Sequence, residues 1–337
     1  MQALEKDDAP LISLRDGVIS AVISTLALAS WSVPETKWPA IAELLARFRL
    51  ARRGPLSPDE RSMVAIVAGA RPEGWVDDVY LPKALAHKYL SWMQILACHG
   101  PGRWRPHTRL IGREHIERAR DVGRGVVLFT ATFAYKDLMA KAALAGAGYR
   151  VSHVSKDTHG FSETRFGKRW LNPIYTSIEE RFLRERMVFG GSNTKTVSAR
   201  IRDRLKRNDM VMITVTPLGR HVATRPFLNG SIHIATGGLS FASENDTPVL
   251  PVFTLRQADG GTTTFVGSAL DQPVGAARAE KISAMLDDYV PRLEAHVRHY
   301  PDQFSFPLTD QSGTLLLSRS NPSSPAPATS VIQDTAA

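Results

Sequence analysis

Between Gly125 and Met139 the sequence changes period within a few residues, and that change limits what the chain can fold into. Residues 126–129, Val-Val-Leu-Phe, form an unbroken apolar, β-branched-rich run of the kind expected for a strand covered on both faces. After Thr132 the apolar residues Leu138, Met139, Ala142, Ala143 and Leu144 fall near helical spacing, with Lys136 and Lys141 outside that stripe. The turn between them sits at the carboxyl end of a strand, where α/β sheets place their chemistry. Thr132 and Asp137 stand in it.

The same alternation continues downstream. Strands are expected at 149–155, 210–215, 248–255 and 262–267, the last two paired across Asp259-Gly260-Gly261. Helices are expected at about 113–122, 194–207, 236–245 and 276–299, with basic helices over about 162–187. Strands alternating with helices predict an α/β fold, a mostly parallel sheet flanked by helices. The first hundred residues read instead as helices. They cover 12–50 in two segments broken between Pro34 and Pro39, then a helix from the capping Ser57-Pro58-Asp59-Glu60, then about 82–99. The expected organisation is a helical N-terminal region, 1–104, packed on or capping the core. An α/β core follows over 105–312, then a disordered Ser/Pro/Ala-rich tail, 313–337.

Composition narrows the function. Ten histidines form no His-Glu-x-x-His cluster and the single cysteine, Cys98, sits in an apolar helical pattern, so no metal site is expected and a buried structural thiol is. No Gly-x-Ser-x-Gly elbow or phosphate-binding Gly-Lys-Ser/Thr loop is present, and Gly146-Ala147-Gly148 follows a helix, which makes it a helix stop. A net charge of +9 favours acidic partners. Much of it lies between Phe161 and Arg207, and no nucleic-acid module is recognised there. The start has an acidic flank and no basic segment, unlike a signal peptide. Residues 17–34 carry no charge but include four serines, and read as a packed or interfacial helix, with Val18, Ile19, Val22, Ile23 and Leu26 as its apolar face.

The segment from Gly123 to Asp137 resembles the first motif of the lysophospholipid acyltransferase superfamily, and more narrowly the branch of lipid A biosynthesis (lauroyl/myristoyl) acyltransferases. That motif is a strand, then His-x-x-x-x-Asp/Glu, then a helix. The blocks 225–230, 235–242, 247–253 and 299–304 follow that branch's order, so the resemblance spans roughly 100–306. It implies a glycerolipid acyltransferase-like fold and transfer of an acyl chain from an acyl carrier protein or acyl-CoA thioester to an amine or hydroxyl of a lipid or secondary metabolite. No cofactor is implied. The implied location is cytoplasmic, with peripheral attachment to an anionic membrane surface at its inner face as the alternative.

The resemblance assigns Thr132 and Asp137 to the catalytic pair. It assigns Arg165, Arg169, Thr216, Gly219, Arg220 and Arg225 to substrate binding, Arg165 as a phosphate- or pantetheine-facing residue. The departure is at Thr132, which stands where the family has its histidine; a threonine hydroxyl is no base near neutral pH. Three explanations remain open. The sequence is an engineered inactive variant, it is a natural non-catalytic homologue that binds an acyl donor or lipid, or the base comes from elsewhere, with His153, His159 and His221 as candidates.

Overall fold

A computed structural model describes residues 9–68, 74–102, 104–190, 193–217, 219–304 and 316–318. The N-terminal region holds α1 (Leu14–Ser32), α2 (Trp38–Ala51), α3 (Pro58–Ala68) and α4 (Leu81–Ala97). The core that follows contains β1 (Thr108–Ile111), α5 (Arg113–Asp121), β2 (Val126–Thr130), α6 (Leu138–Gly146), β3 (Val151–Lys156) and α7 (Asn172–Glu180). It continues with β4 (Leu183–Phe189), α8 (Thr194–Lys206), β5 (Met210–Thr214), the hairpin β6 (Val222–Phe227) and β7 (Gly230–Ala235), and α9 (Gly237–Ser243). β8 (Val249–Arg256), β9 (Thr262–Val266) and α10 (Arg278–His299) complete it, and β10 (Leu316–Ser318) follows.

Seven strands form one sheet in the order β1-β9-β8-β2-β5-β3-β4. β8, β2, β5, β3 and β4 run parallel, and β9 turns back antiparallel to β8 with β1 parallel to β9. The expected mostly parallel sheet flanked by helices is therefore what the chain builds. β2 lies in its middle, paired to β8 and β5, and every residue of it is buried. Val127 and Phe129 face a core shared with α10, where Phe129 and Tyr289 meet edge to face with centroids 4.9 Å apart. Val126 and Leu128 face the opposite core, with Ala140 and Leu144 of α6. This is why the run reads as continuously apolar.

Three expectations are corrected. The stretch read as basic helices over 162–187 holds a π-helical turn at Gly167–Leu171 and α7, then the edge strand β4. Lys141, placed outside the apolar stripe of α6, is buried. Three residues of the expected tail form β10, which pairs antiparallel with β7; residues 313–315 and 319–337 of that tail lie outside the described residues.

The N-terminal helices share a core with the site end of the sheet. Ile19, Leu26, Trp38, Leu85, Tyr89 and Met93 pack in one cluster with Tyr135, Leu138, Phe161 and Tyr175. α1 is anchored there by Asp16, fully buried, whose carboxylate accepts hydrogen bonds from Ser13 N (2.8 Å), Ser162 Oγ (2.5 Å) and Thr164 Oγ1 (2.9 Å). The backbone N–H groups of Arg165 and Phe166 donate to Pro10 and Leu11, fixing the chain just before α1 to the same loop. α1 is the one helix among the described residues long and apolar enough to cross a membrane by length and composition; a third of it is buried in the fold.

Candidate functional site

The turn after β2 is held on two sides. Ala131 N donates to Val252 O of β8, and Ala134 N donates to Gln303 O of the segment that follows α10. Gln303, itself buried, clamps the end of β8, with its Oε1 accepting from Arg256 N and its Nε2 donating to Arg256 O, both at 2.8 Å. The turn therefore has little freedom, and the side chains it carries face a cavity of about 280 Å³. Its walls come from the turn (Thr132, Lys136, Asp137), from the 159–161 loop, from Tyr175 of α7, and from α1, α2 and α4.

Thr132 and Asp137, paired by sequence reasoning, line this cavity together. Their chemistry differs from that of a histidine and its carboxylate. Thr132 Oγ1 donates to the Val215 carbonyl oxygen at 3.0 Å, so its proton is committed to the backbone. Asp137 Oδ2 accepts from Lys136 Nζ at 2.8 Å and from Tyr175 OH at 3.0 Å. Burial works to raise the Asp137 pKa, but Lys136, His159 and Lys141 outweigh it and hold the carboxyl well below its ordinary range. It is ionised at neutral pH.

Beside Asp137 stands a second ion cluster. Glu179, fully buried, takes the His159 Nε2 at 2.9 Å on one oxygen and the Lys141 Nζ at 2.9 Å on the other, the ammonium lying outside hydrogen-bonding angles. Burial raises the Glu179 pKa, and Lys141 and then His159 pull it below the ordinary value. A carboxylate can only accept, so Nε2 of His159 carries the proton and Nδ1 is left to receive one. His159 lines the cavity and packs edge to face on Tyr175, with centroids 5.3 Å apart. His153 lies behind it, with ring centroids 6.0 Å apart, buried; burial, Lys141 and His159 push its pKa well below the ordinary histidine value. His221 does not line the cavity.

Asp137, His159 and Glu179 offer ligand atoms within 4.8 Å of one another, a separation at which a cation could be shared. Each carboxylate is already compensated by a lysine ammonium, so the donor set fits a self-neutralised ion cluster better than a metal site.

The residues expected to bind substrate lie elsewhere. Arg165, Arg169, Thr216, Gly219, Arg220 and Arg225 are not among those lining the cavity. Arg165 is exposed on the loop beside α1, and Arg169 stacks over Trp170 at 5.4 Å. Arg225 bonds Asp287 at 2.6 Å and Ser283 at 2.7 Å, tying β6 to α10. Thr216 accepts from Ala235 N through its carbonyl, Gly219 lies against Ala235, and Arg220 is exposed. Cys98 is half-buried and its thiol is pushed up to about 11 by burial against a smaller opposing effect of Arg181, which suits a structural thiol.

Sequence reasoning missed Glu179, whose signal was indirect: a lone lysine, Lys141, in an otherwise apolar helix requires a buried counter-charge. It also missed the cations that line the cavity from the N-terminal region, Arg15, Arg49 and Lys88. Fold and site together define an α/β protein with an ion-paired histidine in a cavity at the carboxyl end of its central strand. Compared with protein-family models and with curated proteins, the chain matches none.

Proposed function

We propose that the protein is an acyltransferase that moves an acyl chain from an acyl carrier protein or CoA thioester to an amine or hydroxyl, with His159 as the proton acceptor. The carrying observation is the His159–Glu179 pair, set beside Asp137 on the cavity that Thr132 lines. The resemblance of residues 123–137 to the first motif of the lysophospholipid acyltransferase superfamily supplies the reaction class. Glu179 orients the imidazole and stabilises it once charged, as a carboxylate does for a catalytic histidine in general. His159 Nδ1 takes the proton of the acceptor as its heteroatom attacks the thioester carbonyl; the tetrahedral intermediate collapses, the C–S bond breaks, and the proton passes to the departing thiolate. Asp137, held by Lys136 and Tyr175, keeps the lysine ammonium at the cavity wall near the developing negative charge.

The test is a transfer assay with radiolabelled acyl-CoA and acyl carrier protein donors against amine and hydroxyl acceptors. His159→Gln should lower turnover by about 10²–10⁴-fold, the range for general base catalysis, while donor binding by calorimetry persists. Turnover unchanged by His159→Gln would refute the assignment of the base. A second reading, a non-catalytic acyl-donor or lipid-binding protein, draws on the two hydrogen bonds already occupying Asp137 Oδ2. Donor binding with no turnover of any thioester would decide for it.

A further inference from the structure

One amine on the cavity has no counter-charge. Lys88, in the middle of α4, lines the space, and its ammonium stands 5.1 Å from the ring centroid of Trp92, one turn further on. Trp92 meets Tyr89 and Phe161 edge to face, with centroids 5.9 and 5.0 Å apart, and all three rings line the same cavity. The amine therefore stands against an aromatic wall. Among the described residues its nitrogen makes no hydrogen bond and no ion pair. The other charged groups near it are already matched. Lys136 holds Asp137 at 2.8 Å, His159 holds Glu179 at 2.9 Å, and Asp302 faces His87 at 3.4 Å.

A lysine on a solvated helix face keeps its proton through neutral pH and reacts slowly. Lys88 is half-buried, and the groups that act on its charge are Arg15 of α1 and Arg49 of α2, both of like sign. The Trp92 face attracts an ammonium. Against that attraction, burial first and then the two arginines push the Lys88 pKa down to about 8. About a tenth of the side chains are then neutral at pH 7, against fewer than about one in a thousand for an ordinary lysine. A neutral amine is a nucleophile, and this one sits in the space assigned to an acyl thioester.

We propose that Lys88 is an acylation site of the protein, its side-chain amine taking the acyl group of a thioester admitted to the cavity. The Nζ lone pair attacks the thioester carbonyl carbon and a C–N bond forms. The C–S bond breaks, and the Nζ proton leaves with the thiolate as free thiol. The cavity is small, about 280 Å³, so a carbonyl seated in it lies within the sweep of the four-carbon lysine stem. The product is an amide, too stable to pass the acyl group onward, so Lys88 is a site of modification and not a carrier of transferred chains. The acyl-lysine loses its charge and fills part of the cavity, so excess donor closes the site that His159 serves. The assignment rests on the proposed reading in one respect, that the cavity admits an acyl thioester.

The experiment has two arms on the full chain. In the first, trace acetic anhydride labels the protein across pH 6–10 and peptide mass spectrometry follows each lysine. Lys88 should label roughly tenfold faster at pH 7 than exposed lysines such as Lys37, with a midpoint near 8. In the second, the protein is held with acetyl-CoA or octanoyl-CoA and its intact mass is read. One acyl group should be gained, and trypsin, which does not cut after an acylated lysine, should leave it in the single peptide 84–103. Hydroxylamine strips acyl groups from cysteine, histidine and tyrosine; an adduct that survives it and is absent from Lys88→Arg is the amide. Anhydride labelling of Lys88 no faster than of exposed lysines would overturn the proposal, and so would the lack of a hydroxylamine-stable adduct at Lys88 after exposure to both thioesters. Turnover to an added acceptor without that adduct would overturn it while leaving acyl transfer standing. The adduct without turnover to any acceptor would uphold the site and remove the acyltransferase reading.

Discussion

Replacing Glu179 with glutamine should be among the most damaging single changes the chain can suffer. The residue is fully buried, and so is Lys141, whose ammonium lies 2.9 Å from it. The Lys141 Nζ has no hydrogen-bond partner in good geometry, so the carboxylate is its main compensation. Removing one partner of a buried ion pair costs about 3–5 kcal/mol, because the remaining charge is stranded. Folded domains are stable by only about 5–15 kcal/mol, so the change would remove a large share of the total. Urea unfolding at neutral pH, followed by circular dichroism, would read the loss as a lower midpoint at unchanged slope. Lys141→Met in the same chain should restore most of it, because the glutamine–methionine pair is neutral and carries no stranded charge. A Glu179→Gln midpoint equivalent to less than about 1 kcal/mol of loss would mean water or another group reaches Lys141, and the argument for a sealed cluster would fail. Under the proposed assignment of His159 as the base, the double variant should stay inactive even when refolded, since His159 has then lost its orienting carboxylate. Recovery of turnover along with stability would show that Glu179 does no more than balance Lys141.

Further outcomes follow from the same geometry. His153 is buried with its pKa depressed by burial, Lys141 and His159, so the unfolded chain binds a proton that the folded chain refuses. Its contribution is complete above the ordinary histidine pKa of 6.5 and lost as pH falls below it; His153→Leu should flatten the fall in unfolding free energy between about pH 6.5 and 5, and an unchanged slope would count against it. Asp137 and Glu179 are depressed too, so their share persists to lower pH and is lost only as pH falls below the ordinary carboxyl values of 3.8 and 4.5. Asp16→Ala strands the hydroxyls of Ser162 and Thr164 and removes the N3 half of the capping box of α1, whose N-cap is Ser13, a loss of about 2–4 kcal/mol readable by thermal unfolding. A cavity of about 280 Å³ falls just below the usual range for ligand sites, roughly 300–1,000 Å³, so under the proposed acyl-transfer reading short-chain donors should turn over faster than long ones. A preference for long chains would require the cavity to open.

The parts of the fold legible in the sequence are those where local pattern and tertiary burial agree. β2 is apolar on both faces because it is buried on both, and the helix after Ser57 announces itself by its cap. β4 was hidden because Leu183 and Met187, four apart, satisfy a helical period as well as a strand's, and the residues between them are charged. On an edge strand those charges meet solvent and α8: Glu185 pairs with Arg200 and Arg204. β6 was missed for a related reason, its outward positions being exposed. At the site, Thr132, Asp137 and the candidate His159 were legible from a motif and from side-chain chemistry. Glu179 was not, since an acid in an amphipathic helix ordinarily faces water, and only the packing of α7 against α6 turns it inward.

The positions of the missed residues share a cause. What the strand–turn–helix motif fixes is one wall of the cavity, because β2, its turn and α6 are contiguous in sequence. The opposite wall comes from α1, α2 and α4, brought there by the burial of Ile19, Leu26, Trp38 and Leu85 against Tyr135 and Phe161, and by Asp16 holding α1 to the 162–164 loop. Those contacts are long-range, so no local pattern encodes which side chains of the three helices end up facing the site. The same loop that Asp16 holds follows directly from His159 and Phe161, which means that one anchor sets both the imidazole and the cationic wall. The two walls of the cavity thus belong to different layers of the fold but depend on one seam between them, and a change in that seam must alter both together.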